Sequence, residues 1–475
     1  MYTITASRVA LAVAAAAALG TLANASVSVI ALAHSQRPAS THAKAPGVTA
    51  AVPGTRTAGA PAGGVVYLAG VLNGGNEVPV RGAPAVGDPD GQAVEVVRID
   101  GDEVSFAVRW QGIDPPTAAR VNAGEAGTNG ADQVTLFGTA LPDTLDAAVG
   151  TVTVSDRNVL DAVRSNPGGF YANLTTAQFP GGAVRGQLHP VNHPVDLTAF
   201  VRGGGPLAAL LDGTQAVPID GGPAIGDRDG RATAFVRPRG STVDFALTWS
   251  GMAPPTYAHL HSGGAGVNGP AAVPLFAAPS GLPAAITGVA GTDNAVPETV
   301  TRQIAAQPST FYVNLHNAEF PGGAVRGQLF SAGRGDGDGA AGTVASVTDG
   351  VQVYVCTEQA DGGFGYTQRD ARAKLTGGIR HANVQQDTGP PQWLAPDGSG
   401  VTGKVLATWP HGAGNVPELD LAATRTGAPA GLLADVTEIL QLNTQGGAAP
   451  SGPCDPQRQR IVQLPFHADY LFLTG

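Results

Sequence analysis

Apolar and polar residues alternate through two separate stretches of the chain. Val104, Phe106, Val108 and Trp110 alternate with Ser105, Ala107 and Arg109, and Val243, Phe245, Leu247 and Trp249 alternate with Asp244, Ala246 and Thr248. A period of two with one apolar side predicts a half-buried β-strand. Further along, Asp156 to Ser165 and Glu298 to Gln307 each read as one short helix, opened by an acidic residue that suits a helix start and closed by Pro167 or Pro308. Pro-Gly-Gly at Pro180 and again at Pro321 marks a tight turn. The run Val351 to Val355 alternates in the last third of the chain.

These elements recur because a module has been copied. FYANLTTAQFPGGAVRGQL from Phe170 returns as FYVNLHNAEFPGGAVRGQL from Phe311, and EVPVRGAPAVGDPDGQA from Glu77 returns as AVPIDGGPAIGDRDGRA from Ala216. The displacements are 311 − 170 = 141 and 216 − 77 = 139 residues. Solenoid repeats run roughly 20–50 residues, so this period means duplicated domains. The chain then divides into an export signal (1–25), a Pro/Ala/Gly-rich spacer (26–63), two sibling modules (64–190 and 195–331), a Gly/Asp spacer (332–345) and a third β-rich domain (346–475). The expected fold is all-β, two tandem β-sandwich-like domains followed by a third β-rich domain.

Composition narrows the classes open to it. Among 475 residues, 43% are hydrophobic and only 5% aromatic, with 67 Gly and 37 Pro, which favours short strands and tight turns over long helices. A net charge of −10 without a basic patch excludes a nucleic-acid partner. Arg8, the apolar run from Val9 to Ala23 and the Ala23-Asn24-Ala25 site predict export with cleavage, although a second site at Ala31-Leu32-Ala33 leaves the cut open. Left uncleaved, Val9 to Ala33 is the chain's one route to a membrane. The two cysteines, Cys356 and Cys454, fall in one domain of an exported chain and are expected to form a disulfide.

The sharpest chemistry lies in the second copy. His259 and His261 are two apart on an expected strand and so project from one face, and His316 shares a face with Tyr312 and Asn314. Pairing of those strands would gather three neutral imidazoles, a set that suits zinc or copper, against the plainer reading of surface or hydrogen-bonded histidines. The first copy carries Arg120, Asn122 and Thr175 instead, so all three histidines are absent together and the fold does not require them. Asp88-Pro89-Asp90-Gly91 and Asp227-Arg228-Asp229-Gly230 could hold calcium, but the twelfth position of an EF-hand loop would be Ile99 or Pro238, which favours a turn. Arg185 and Arg326 are expected to pair with an acidic residue of their own module. His381, Trp393 and Asp397 lie in a polar, Gly-rich region that could line a small-ligand or sugar pocket, or could be a packed Trp and a turn Asp. The chain has no phosphate-binding loop, nucleophile elbow or H-E-x-x-H motif.

Glu77-Val78-Pro79, the His-x-His strand, Asn268-Gly269 and the Y-x-N-L-x-x-x-x-F-P-G-G-x-x-R-G-Q-L ending together resemble the CHRD domain, the module named after chordin. The resemblance covers roughly 260 residues. It implies an extracellular compartment: a growth-factor antagonist in animals, an exported protein of unsettled role in bacteria. GPPQWLAPDGSGVTGK from Gly389, NTQGGAAPSGPC from Asn443 and HADYLF from His467 resemble a family of exported bacterial and fungal proteins of unknown function. The function expected from this is that of an exported, non-enzymatic binding or structural protein, its partner an unidentified extracellular protein or glycan. One alternative is a zinc- or copper-binding, redox-active protein using the three histidines, and another is a carbohydrate-binding envelope protein.

Overall fold

A computed structural model describes residues 64–201, 205–332, 342–385, 389–458 and 460–474. The expected export signal and its spacer lie outside these residues. No helix among them is long and apolar enough to cross a membrane.

The first module consists of β1 (Val66–Asn73), β2 (Gln92–Asp100), β3 (Glu103–Gln111), β4 (Pro116–Ala123), β5 (Asp132–Phe137), β6 (Leu145–Thr153), α1 (Arg157–Ser165), β7 (Phe170–Thr176), β8 (Val184–Gln187) and β9 (His189–Val191). Antiparallel ladders run in the order β5-β4-β7-β8-β1-β2-β3-β6, and the sheet folds over at β1 so that its two halves enclose apolar side chains. The second module repeats the plan with β10 (Leu207–Asp212), β11 (Arg231–Arg239), β12 (Thr242–Ser250), β13 (Pro255–Ser262), β14 (Ala271–Ala277), β15 (Ile286–Asp293), α2 (Glu298–Ala306), β16 (Phe311–Asn317), β17 (Val325–Gln328) and β18 (Phe330–Ser331). The strands expected from alternation are β3 and β12. Their apolar residues Phe106, Val108, Phe245 and Leu247 are buried in one core that spans both modules.

Both expected helices form. Asp156 caps α1 by accepting from Asn158 N at 3.0 Å, and Leu160 and Val163 turn inward. Helix α2 starts on Glu298 without a side-chain cap and buries Ile304.

The modules are joined edge to edge. Strands β6 and β15, which are equivalent by the repeat, pair antiparallel: Leu145 faces Gly291 and Gly150 faces Ile286. Thr151 N donates to Ala285 O at 2.9 Å, and its counterpart Thr292 N donates to Thr144 O at 2.8 Å. The junction therefore has the pseudo-twofold symmetry of an isologous dimer inside one chain.

The third domain is an eight-stranded antiparallel barrel: β19 (Gly342–Glu358), β20 (Phe364–Leu375), β21 (Arg380–Asn383), β22 (Pro391–Leu394), β23 (Ser399–Trp409), β24 (Glu418–Gly427), β25 (Val436–Gly446) and β26 (Ile461–Thr474). Each strand pairs with the next, and β26 returns to β19, leaving no free edge. Strand β19 starts at Gly342, inside the stretch whose composition reads as spacer, because residues 342–346 pair with β26. The expected disulfide joins Cys356 to Cys454 across 98 residues, closing a loop whose chain entropy is on the order of 4–5 kcal/mol.

Candidate metal centre

Polar side chains line one face of the sheet formed by β13, β16 and β17 in the second module. In the register of β13, β16 and β17, Tyr257 lies opposite His316, His259 opposite Asn314 and then Arg326, and His261 opposite Tyr312 and then Gln328. Directly opposed residues share a face, as do residues two apart, so these rows form one polar surface. The intervening Ala258, Leu260, Val313 and Leu315 point the other way into the core.

The expected histidine cluster forms. One ring nitrogen from each of His259, His261 and His316 lies within 4.8 Å of the others. His261 Nδ1 is 3.0 Å from Gly269 O and His316 Nδ1 is 2.9 Å from Pro321 O, so both Nδ1 atoms carry the proton and donate. That fixes the tautomer: each Nε2 presents a lone pair, the arrangement in which a backbone acceptor orients a metal-binding imidazole. His261 Nε2 is buried with no hydrogen-bond partner. His259 Nδ1 is 3.4 Å from His316 Nε2. Two nitrogens on one tetrahedral zinc are about 3.3 Å apart, so this pair already has ligand spacing, while the widest pair must close. Tyr312 stacks on His261 at 4.9 Å between ring centres, and the Arg326 guanidinium lies over the Tyr312 ring, 3.7 Å from its centre.

All three imidazoles are held neutral. Burial lowers the His259 pKa to about 4, helped by His316 and His261 beside it. Burial also lowers His261, with Arg326 adding to the effect, and lowers His316, with His261 adding to it. No carboxylate offsets this in any of the three.

The first module shows what the same positions do without histidine. Arg120, Asn122 and Thr175 replace the triad, and Asp132 binds two of them: Arg120 Nε is 3.0 Å from Asp132 Oδ2, and Asn122 Nδ2 donates to Asp132 Oδ1 at 2.6 Å. The second module has Ala271 at that position. The acid is therefore present with the cation and absent with the imidazoles. Reading the histidines alone misses this exchange, although comparing the copies at Asp132 and Ala271 exposes it.

The remaining candidates separate. Asp88 and Asp227 accept from the backbone N–H of Asp90 and Asp229 at 3.2 and 3.1 Å, the bonds of Asx turns. Arg185 has Glu77 of its own module as an electrostatic neighbour but forms no ion pair with it, and Arg326 has no such acid, because Ala216 replaces it. His381 and Trp393 do come together, stacked at 4.5 Å beside Tyr470, but inside the barrel core where both are buried. Asp397 stands apart on an exposed turn, accepting from Ser399 N at 2.9 Å and Leu432 N at 2.7 Å. The three do not line a common pocket.

The architecture defines a protein of two tandem β-sandwich modules, fused through a shared sheet and docked on a β-barrel, with a histidine face on the second module. The chain belongs to the CHRD-domain family: the model of the CHRD domain matches residues 68–188 and 207–329. Residues 379–474 match a second model, described as a protein of unknown function (DUF3455). No curated protein and no solved structure matches the chain.

Proposed function

We infer that the CHRD modules give this chain a binding or structural role. We propose that this chain is an exported binding protein whose second module holds a zinc or copper ion through His259, His261 and His316. The observation that carries the reading is the pair of Nδ1–H donations to Gly269 and Pro321, which leave two Nε2 lone pairs free of their own protons: that of His261 is buried without a partner, and that of His316 meets only His259 Nδ1 at 3.4 Å. A polar cluster kept only for structure would be closed internally, as Asp132 closes it in the sister module. Three imidazoles without sulfur or carboxylate match borderline metals such as zinc and copper and disfavour calcium or magnesium. Export is supported by the disulfide together with the N-terminal signal pattern.

The test is metal content of the full-length protein after loading with zinc or copper and exhaustive dialysis. One ion per chain is expected, falling to none in the His259→Ala/His261→Ala/His316→Ala variant with an unchanged circular dichroism spectrum. Metal-free wild-type protein, or a variant that keeps its ion, would overturn the reading.

A further inference from the structure

The strands at the junction of the modules belong to one longer sheet. Its order is β1-β2-β3-β6-β15-β12-β11-β10, antiparallel throughout, with the pseudo-twofold between β6 and β15. The inner face closes the shared apolar core. On the outer face, Ala69, Val71, Val94 and Val96 of β1 and β2 share a cluster with Leu440, Leu442, Leu471 and Leu473 of the barrel, and Phe200 and Val201 of the connector join it beside Ala107 and Ala246. One end of this face is thus covered by the barrel and its middle by the connector.

The other end stays open. Leu210 of β10 stands where β1 has Val71, and Phe330 of β18 stands where β9 has His189. Val71 is 1% exposed and His189 6%, whereas Leu210 is 62% exposed and Phe330 45%. The register gathers them into one patch: Ala208 lies between Phe235 and Phe330, Leu210 lies opposite Thr233, and Asp212 lies opposite Arg231. Opposed residues, and residues two apart, share a face. Asp212 is held in place at the charged end of the patch, where it accepts from Thr214 N at 2.8 Å and Gln215 Nε2 at 2.9 Å.

A second barrel does not fit here. In the first module Asn73 Nδ2 donates to Asp469 Oδ2 at 3.5 Å, Gln92 Nε2 donates to Ser346 Oγ at 3.1 Å, and His189 meets the Glu418 carboxylate. Their counterparts are Asp212, Arg231 and Phe330. These would set an acid on Asp469 and a phenyl ring on a buried carboxylate, both unfavourable. The patch is instead complementary to itself, which an isologous contact requires. A twofold axis along the strands, between β10 and β11, sets Arg231 of each copy over Asp212 of the other and lets the apolar rows cover one another, as in face-to-face packing of aligned sheets. We propose that two copies of this chain form a dimer through this face, with Leu210, Phe235 and Phe330 as its apolar centre and Asp212 and Arg231 as its charged end. The histidine face takes no part in the contact, so the proposal stands whether or not the triad holds a metal.

Sedimentation equilibrium of the full-length protein over roughly 1–100 μM, the range of modest protein–protein affinities, tests it. The wild-type protein should weigh as a dimer at the upper end of that range. Leu210→Lys, at an exposed position, should keep the wild-type circular dichroism spectrum and self-associate at least ~10-fold more weakly, having lost a buried anchor and gained a facing like charge. Arg231→Glu, which turns the facing pair into two acids, should weaken the dimer in the same way and serves if the first variant does not fold. Wild-type protein that stays monomeric throughout would overturn the proposal and leave the patch to some other occupant. So would a dimer that either folded variant leaves at wild-type affinity.

Discussion

Glu95 is the residue most at odds with its surroundings. It lies on β2 with Ala93, Val97 and Ile99, facing the apolar core opposite Val108, and is 0% exposed. Neither of its carboxylate oxygens has a partner, and burial pushes its pKa up from 4.5 to about 8. The sister module has Ala234 at this position. The folded protein therefore holds the proton more tightly than the unfolded chain, so stability is greatest below about 4.5 and falls as pH rises toward 8. Linkage bounds the loss at about 5 kcal/mol, less where the core relaxes around the ion. Glu95→Gln keeps the volume but does not titrate, and urea denaturation between pH 5 and 8.5 should show its slope against pH flattened. A wild-type curve already flat over that range would contradict this.

Among the elements, the strands with strict alternation and the helices bounded by an acid and a proline were legible because their signals are local. The fusion of the modules was not. Strands β6 and β15 read as small-residue runs, and nothing local says that one edge seeks its own copy. The available sign was glycine within a strand, which marks close backbone approach. A Cβ on Gly150 would lie 2.2 Å from Ala285 O and 2.8 Å from Phe106 Cζ, and one on Gly291 would lie 2.0 Å from Thr144 O. Barrel closure was hidden for a different reason: it pairs Gly342 with Leu473, far beyond the reach of any local pattern. The histidine triad was legible since two members share a strand face, whereas the matching loss of Asp132 and Glu77 required setting the copies side by side. Gly150→Val should force the junction apart, costing about 1–3 kcal/mol. Chemical denaturation should then show a broadened or split transition, and an unchanged single transition would argue that the modules do not depend on this edge.

At the scale of the whole molecule, the barrel is held to the first module by both apolar packing and buried charge. Ala69 and Val71 of β1 share a cluster with Leu440, Leu442, Leu471 and Leu473. Beside it, His189 Nε2 is 3.2 Å from Glu418 Oε2, Asn76 Nδ2 donates to Asn443 Oδ1 at 2.8 Å, and Asn192 N donates to Glu438 Oε1 at 2.9 Å. Asp420, 0% exposed, accepts from Asn192 Nδ2 and sits against Glu438, which also takes His193 Nδ1 at 3.0 Å. Burial first, and Glu438 second, push the Asp420 pKa up from 3.8 to about 8. Two carboxyl groups this close share a proton, and docking, which covers Asp420 with Asn192, adds burial that favours keeping it. Docking is therefore strongest while that proton is held and weakens as pH climbs from about 4 through 8. Asp420→Asn leaves an acceptor for Asn192 and supplies a permanent donor for Glu438, so it should resist alkali by on the order of 2 kcal/mol. Calorimetry from pH 6 to 9 reads this directly: the wild-type endotherm should shift down and separate into barrel and module components as the pair ionises, while the variant's stays single. If both traces move together, the proton is not what seats the barrel, and the apolar cluster alone must account for the contact.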